Sequence, residues 1–245
     1  MTIVISHEKK QEILEASKEW FREKIAKGHI RNTLKLTDPK HFNINPFLAA
    51  YLANFIEGNS HPTSIARALL LPRVLGTSIT TSFGNHIQDF TNILLDAFGS
   101  TTAGIDIEFE DQIDHQRKYC QLKSGPNTIN KDDVETIAGH FRGVINLGRT
   151  NNLRIPHDDM IVGVVYGVPS DLSSHYKRIT SQYHHPVIIG QELWHRITGD
   201  PGFYDDLIEA IASVAVESDF KQEFEDVVNQ LAQSEVIKAL SDTNT

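Results

Sequence analysis

One cysteine in 245 residues, Cys120, leaves no internal disulfide and no cysteine-based zinc site to be made. Long apolar runs are missing as well. The longest, IVGVVYGV at residues 161–168, falls far short of the roughly 20 residues that span a bilayer. Near the N-terminus, TIVISHEKKQEILEASKEW carries charge where a secretory segment needs unbroken apolar sequence. A cytoplasmic protein with no membrane span is therefore expected. Neither an internal repeat nor a low-complexity tract is present.

Acid is absent from three stretches, which matters because the net charge of −9 argues against a nucleic-acid partner at first sight. That charge sits at one end. Residues 200–245 hold eleven Asp or Glu against only Lys221 and Lys238, so the rest of the chain is neutral overall. Residues 58–88 contain no acid and carry Arg67 and Arg73; residues 115–131 contain none and carry Arg117, Lys118, Lys123 and Lys131; residues 136–157 contain none and carry Arg142, Arg149 and Arg154. A surface facing phosphate needs such tracts, since a carboxylate near the duplex would oppose counterion release. Ordinary core and loop sequence accounts for them equally well when they are taken alone.

What is present reads as an α/β chain with one sizeable core, its 40% apolar content ample for that. Ile13, Leu14, Ser17, Trp20, Phe21 and Ile25 recur at helical spacing, with Gly28 as a stop. Asn45-Pro46 starts a second helix, Pro62 a third that Pro72 should end, and Ile87, Phe90, Ile93, Leu94 and Phe98 mark a fourth closed by Gly99. The stretch Thr77 to Asn85 reads as a connector or a DNA-facing loop. From Ile105 the period changes to two: Ile105, Ile107 and Phe109 face one way, Asp106, Glu108 and Glu110 the other. A second strand holds Cys120 and Leu122 on one face, Gln121 and Lys123 on the other. Closing the pair through residues 111–116 brings Asp106 beside Gln121 and Lys123.

Farther on, a helix from Lys131 to Leu147 is capped by Asn130 and ended by Gly148. A buried strand over residues 160–168, a strand and helix in PVIIGQELWHRITGD, and acidic helices with Ile208, Ile211, Val214 and Ala215 inward complete the chain. The expected division is an N-terminal helical region at 1–99, for DNA binding or dimerisation, packed on a core at 100–245 that includes the acidic helices. A mixed sheet with helices on both faces fits this order.

An acid, an amide and an ammonium on adjacent strands suit phosphodiester hydrolysis. That reaction needs a water made nucleophilic near neutral pH and a neutraliser for charge gathering on phosphorus, and a divalent metal supplies most of both. Mg2+ takes oxygen ligands and keeps several waters. Asp106 is the expected central ligand and the Leu122 main-chain carbonyl a second. Gln121 offers an amide oxygen without charge, so another carboxylate should compensate: Asp89, which a helix can aim across the sheet, or Glu108. Lys123 would orient the attacking water and stabilise the phosphate. An Asp followed by Q-x-K is common by chance, and the context of two consecutive strands leading into a polar loop is what lifts it.

Longer motifs carry a family likeness. GIDIEF around Asp106, YCQLKSGPNTINKDDV at Tyr119 to Val134, NINPF at Asn43 to Phe47, DMIVGVVYG at Asp159 to Gly167 and IGQELW around Trp194 resemble the PmeII-like type II restriction endonucleases over about residues 40–215. The resemblance implies the PD-(D/E)xK nuclease core: a central mixed sheet flanked by helices, Mg2+-dependent cleavage of double-stranded DNA at a short palindrome, and a homodimer. Carried over, Asp106 is the motif's Asp and Lys123 its Lys, whereas Gln121 stands where Glu or Asp is usual and Ile105 where the motif has proline.

Ser124, Asn127, Thr128, Asn130 and Lys131 follow the catalytic strand and could reach phosphate or base edges. Loop chemistry competes for Asn127, and for Asn130 the cap is favoured. Arg142, Arg149, Asn151, Asn152, Arg154 and Arg73 are further DNA-contact candidates, with a solvated helix end the alternative for any one of them. His175, His184, His185 and His195 match no zinc-ligand spacing. The function expected is a type II site-specific DNA endonuclease; a structure-specific repair or recombination nuclease and a catalytically silent DNA-binding protein are the alternatives.

Overall fold

The computed structural model describes residues 6–218 and 220–241, without the side chains of residues 77–78, 87–88, 91–92 and 94–98. The expected packing of Ile87, Leu94 and Phe98 lies outside the described residues. In chain order the elements are α1 (His7–Phe21), a π-helical turn (Arg22–Ala26), α2 (Lys27–Leu34), α3 (Pro46–Glu57), α4 (Pro62–Val74), α5 (Thr77–Phe98), β1 (Ile107–Glu110) and β2 (Arg117–Lys123). They continue with α6 (Lys131–Thr150), β3 (Met160–Val164), α7 (Ser174–Tyr183), β4 (Val187–Ile189), α8 (Gln191–Thr198), α9 (Phe203–Glu217), α10 (Phe220–Ala232) and α11 (Glu235–Ser241).

Contacts divide the chain into a sheet unit, residues to 17 with 87–210, and a helical unit, 18–86 with residues from 211 onward. This differs from a break at 99/100. Helix α9 straddles the division at 210/211, whereas α10 and α11 belong with the helical unit because their apolar side (Val227, Val228, Leu231, Ala232, Ile237) closes a core with Ala49, Ala53, Ile65, Ala66, Ala68 and Leu70. Small residues on α3 and α4 let the helices approach, and the Arg67 guanidinium donates to both oxygens of Glu225 at 2.8 and 2.7 Å.

Within the sheet unit the strand order is β1-β2-β3-β4, β1 antiparallel to β2 and the other pairs parallel. This is the expected mixed sheet. On one face α6 and α7 pack Val134, Ile137, Phe141, Val144, Tyr176 and Ile179 onto Met160, Val162, Val164 and Ile189. On the other, Trp194 of α8 is fully buried, stacks on Phe203 at 5.3 Å and donates its indole N–H to the Val165 carbonyl at 2.9 Å. Gly163 leaves room there, since a Cβ would lie 2.8 Å from Cys120 Sγ. Burial pushes the Cys120 thiol well above its ordinary pKa, so it is an inert core residue.

Several local expectations shift. Gly28 does not stop the first helix, which runs on through the π turn into α2. Pro72 lies inside the last turn of α4, which still closes through Leu75 N–H to Leu71 O at 2.8 Å. Residues 77–85 are the opening turns of α5, not a loop. Gly148 is within α6, where its missing Cβ admits Ile155 Cδ1 at 2.9 Å, and Asn151 ends the helix instead. The strand expected over 160–168 stops at Val164. On α9 it is Phe203, Leu207 and Val214 that are buried, while Ile208 is 52% exposed.

Candidate active site

The site forms where β1 leaves β2. Asp106 stands just before β1, and its N–H still donates to the Cys120 carbonyl at 3.0 Å. One step along, the Leu122 N–H donates to a side chain, Asp106 Oδ2, at 2.7 Å. A side chain thus finishes the ladder. The Leu122 carbonyl points the same lateral way as its N–H, and no main-chain donor of the segment before β1 reaches it. Next in line, Lys123 is fixed through its backbone, its carbonyl accepting from Val165 N–H at 2.9 Å. Its half-buried ammonium has no hydrogen bond or ion pair among the described residues.

Gln121 is drawn inward and only 5% exposed. Its Nε2 donates to the Gly104 carbonyl and lies 2.6 Å from His140 Nδ1, on α6. Since a carbonyl can only accept, the amino end of the amide is the one facing Gly104. His140 then offers a lone pair at Nδ1 and carries its proton on Nε2. Nothing in the spacing of the sequence pointed to His140, an exposed residue of α6 that meets Gln121 only because the fold sets α6 over the turn at Gly104.

Of the carboxylates expected to support Asp106, Glu108 is engaged elsewhere. It accepts from Ser100 Oγ at 2.5 Å, Thr102 Oγ1 at 2.6 Å and Arg117 Nε at 2.9 Å. Burial raises its pKa, but those three donors outweigh it and hold the carboxyl below its ordinary range. Asp89 is half-buried on α5. Among the described residues no three of His, Cys, Asp and Glu converge as metal ligands, so Asp89 and Glu108 do not complete a three-carboxylate cage with Asp106.

The DNA-contact candidates fall into separate places. Ser124 and Asn127 follow Lys123 directly, half-buried and exposed respectively. Thr128 Oγ1 donates to the Gly125 carbonyl at 2.9 Å beside Tyr176, whose hydroxyl donates to the same oxygen at 2.9 Å. Burial pushes the Tyr176 pKa up to about 12, so it stays a donor. Asn130 caps α6, its Oδ1 accepting from Asp132 N–H at 2.8 Å and Asp133 N–H at 3.1 Å. Lys131 and Arg142 are exposed on α6. Arg149, Asn152 and Arg154 line a cleft at the far end of α6, next to the Asn151 cap. A helix of this length spans about 30 Å, so that group and the Ser124–Lys131 group do not share one patch. Arg73 belongs to the helical unit, beside Lys35 and His41.

A family model described as the type II restriction endonuclease EcoO109I matches residues 17–219. The chain belongs to this family of type II restriction endonucleases. It is a site-specific deoxyribonuclease, DNA is its substrate, and enzymes of this type generally use divalent metal ions. No curated protein matches the chain. Among the described residues no helix is long and apolar enough to cross a membrane. The restriction-endonuclease family implied by the sequence motifs is thereby found at the level of type II enzymes.

Proposed function

We propose that this enzyme cuts both strands of DNA at a short palindrome, as a homodimer with Mg2+, using Asp106, Leu122 and Lys123. One observation carries the reading: the Asp106 carboxylate takes over the Leu122 N–H where the β1–β2 ladder ends. That leaves the second Asp106 oxygen and the Leu122 carbonyl on the edge, next in the chain to Lys123, whose ammonium has no hydrogen bond or ion pair among the described residues. These are hard oxygen donors, with Gln121 Oε1 a third. Few protein oxygens and several waters are what Mg2+ favours, so the donor set fits it. Bound there, the ion would neutralise charge on the phosphate and make a water nucleophilic near neutral pH. Lys123 orients that water and stabilises charge on the phosphate. The motifs at Asp106, Tyr119–Val134 and Asp159–Gly167 favour the PmeII-like group within type II enzymes.

The homodimer is supported by α3. Phe47, Leu48, Tyr51 and Phe55 share one side of it at 86, 56, 62 and 75% exposure, with the Tyr51 and Phe55 rings stacked at 6.1 Å. The helix has no charged residue before Glu57. With Ile56, this stripe offers on the order of 600 Å², most of the roughly 800 Å² per partner in a standard interface. A second copy suits it, because an uncharged stripe can meet itself across a two-fold axis without repulsion. Tyr51→Glu with Phe55→Glu should convert a dimer into a monomer in sedimentation; a monomeric wild type would refute the interface.

The test of function is incubation with plasmid or phage DNA and Mg2+, beside Asp106→Ala, with sequencing of fragment ends. Discrete fragments made only by the wild type are expected. Equal gel shifts with Ca2+ and Mg2+, and no nicking with Mg2+ or Mn2+, would refute the cleavage centre.

A further inference from the structure

Gln121 stands where a carboxylate is usual, and the geometry gives a reason. Gly104, in the turn before Asp106, has φ of +80°, and a Cβ on it would lie 2.7 Å from His140 Cγ. Only a glycine lets the imidazole close over this turn. Beneath the ring, the Gly104 carbonyl and His140 Nδ1 are two acceptors that both meet the amino group of Gln121. An amide has two protons to give and a carboxylate has none. At its other end, Gln121 Oε1 has no protein donor among the described residues and is not among the sealed, unpartnered buried atoms.

We propose that His140 is a positioning residue of the cleavage centre: with the Gly104 carbonyl it holds both amide protons of Gln121 and so turns Oε1 toward the metal and its waters. This rests on the cleavage centre proposed above. Glutamine at this position is then not decay of the motif. Its amide can donate to the Gly104 turn and still present an oxygen, which an ionised carboxylate cannot do. Restoring the usual acid should therefore harm the enzyme, since a Gln121→Glu carboxylate would set an oxygen against the Gly104 carbonyl and disturb the turn that carries Asp106.

The test compares wild type, Gln121→Glu, His140→Ala and His140→Gln, with Asp106→Ala as control. Cleavage is followed against Mg2+ concentration, and imidazole ¹⁵N spectra are recorded on the metal-free protein. Losing a group that orients a ligand typically costs about 10–100-fold in metal affinity or activity. Losses of that size are expected for Gln121→Glu and His140→Ala, measured per folded enzyme; the unfolding midpoint should hold for His140→Ala and fall for Gln121→Glu, whose buried carboxylate faces two acceptors. His140→Gln, which restores an acceptor, should recover most of the loss. The wild-type spectrum should show His140 protonated at Nε2 alone, and Gln121→Met should release it to a mixture of tautomers. Gln121→Glu cutting as well as wild type, or an Nδ1-protonated His140 in the wild type, would overturn the proposal. Full cleavage by Asp106→Ala would instead overturn the cleavage centre itself, while the spectra would still report the Gln121–His140 contact.

Discussion

The two ends of β2 carry the same kinds of residue and treat them in opposite ways. At its start, Lys118 is 4% exposed and donates to Asp159 and pairs with Asp114, both at 2.7 Å. Nearby Asp111, fully buried, is met by Arg196 at 2.7 Å. At its end, Lys123 has no such partner among the described residues, and the Asp106 carboxylate accepts from a single protein N–H. Paired charges hold the fold; those left open can meet a phosphate and an ion. A buried pair is costly to break because removing one partner strands the other, whereas an open charge can be removed with little structural consequence. Location on a strand therefore says less about a charged residue's task than what already satisfies it.

The strongest way to sharpen this contrast is at Asp106. Asp106→Asn keeps the shape and the acceptor for Leu122 N–H but removes the charge; cleavage should fall by about a thousandfold, with the unfolding midpoint held. A large loss of stability would break the contrast. Lys118→Met should act the other way. Leaving Asp159 buried and unpaired costs about 3 kcal/mol, read by denaturant titration, while cleavage by the folded fraction is unchanged.

A smaller effect belongs to pH. His185 is buried, edge-on to Phe141 at 4.7 Å and stacked with His157 at 5.1 Å. Burial, first, and the neighbouring His157 and His184 hold its pKa below the ordinary histidine value. The unfolded chain then binds this proton more readily than the folded one. Stability is complete above about pH 6.5 and is withdrawn as pH falls through that value toward the folded pKa. Thermal midpoints between pH 8 and 5 should decline on the acid side, and less steeply in His185→Phe. Least of all, Asn130→Ala should cost about 1 kcal/mol of stability through the lost cap and leave DNA affinity as it was. A loss of affinity with intact stability would make Asn130 a DNA contact.

Much of this was legible in the sequence, for local reasons. The period-two pattern of Ile105–Glu110 and the stripe of α6 depend on residues close in the chain, so the hairpin, the helix and the neighbourhood of Asp106 and Lys123 followed from spacing alone. Gly28, Pro72 and Gly148 misled because each is also an ordinary helix breaker. Packing overrode that tendency at Gly148, where Ile155 needed the space. The partition of the C-terminal helices was not legible either, since acidic composition does not say which core their apolar side will close. His140 was invisible for the same reason: its role exists only once α6 lies over the turn at Gly104.

The most direct test of the account crosses the two lysines of β2, measuring cleavage rate and unfolding free energy for Lys123→Met and Lys118→Met in parallel. Lys123→Met should lose about a hundredfold or more in cleavage at wild-type stability, and Lys118→Met should lose stability while its folded fraction still cuts. Two variants that behave alike, or a Lys123→Met enzyme that cuts at the wild-type rate, would contradict it.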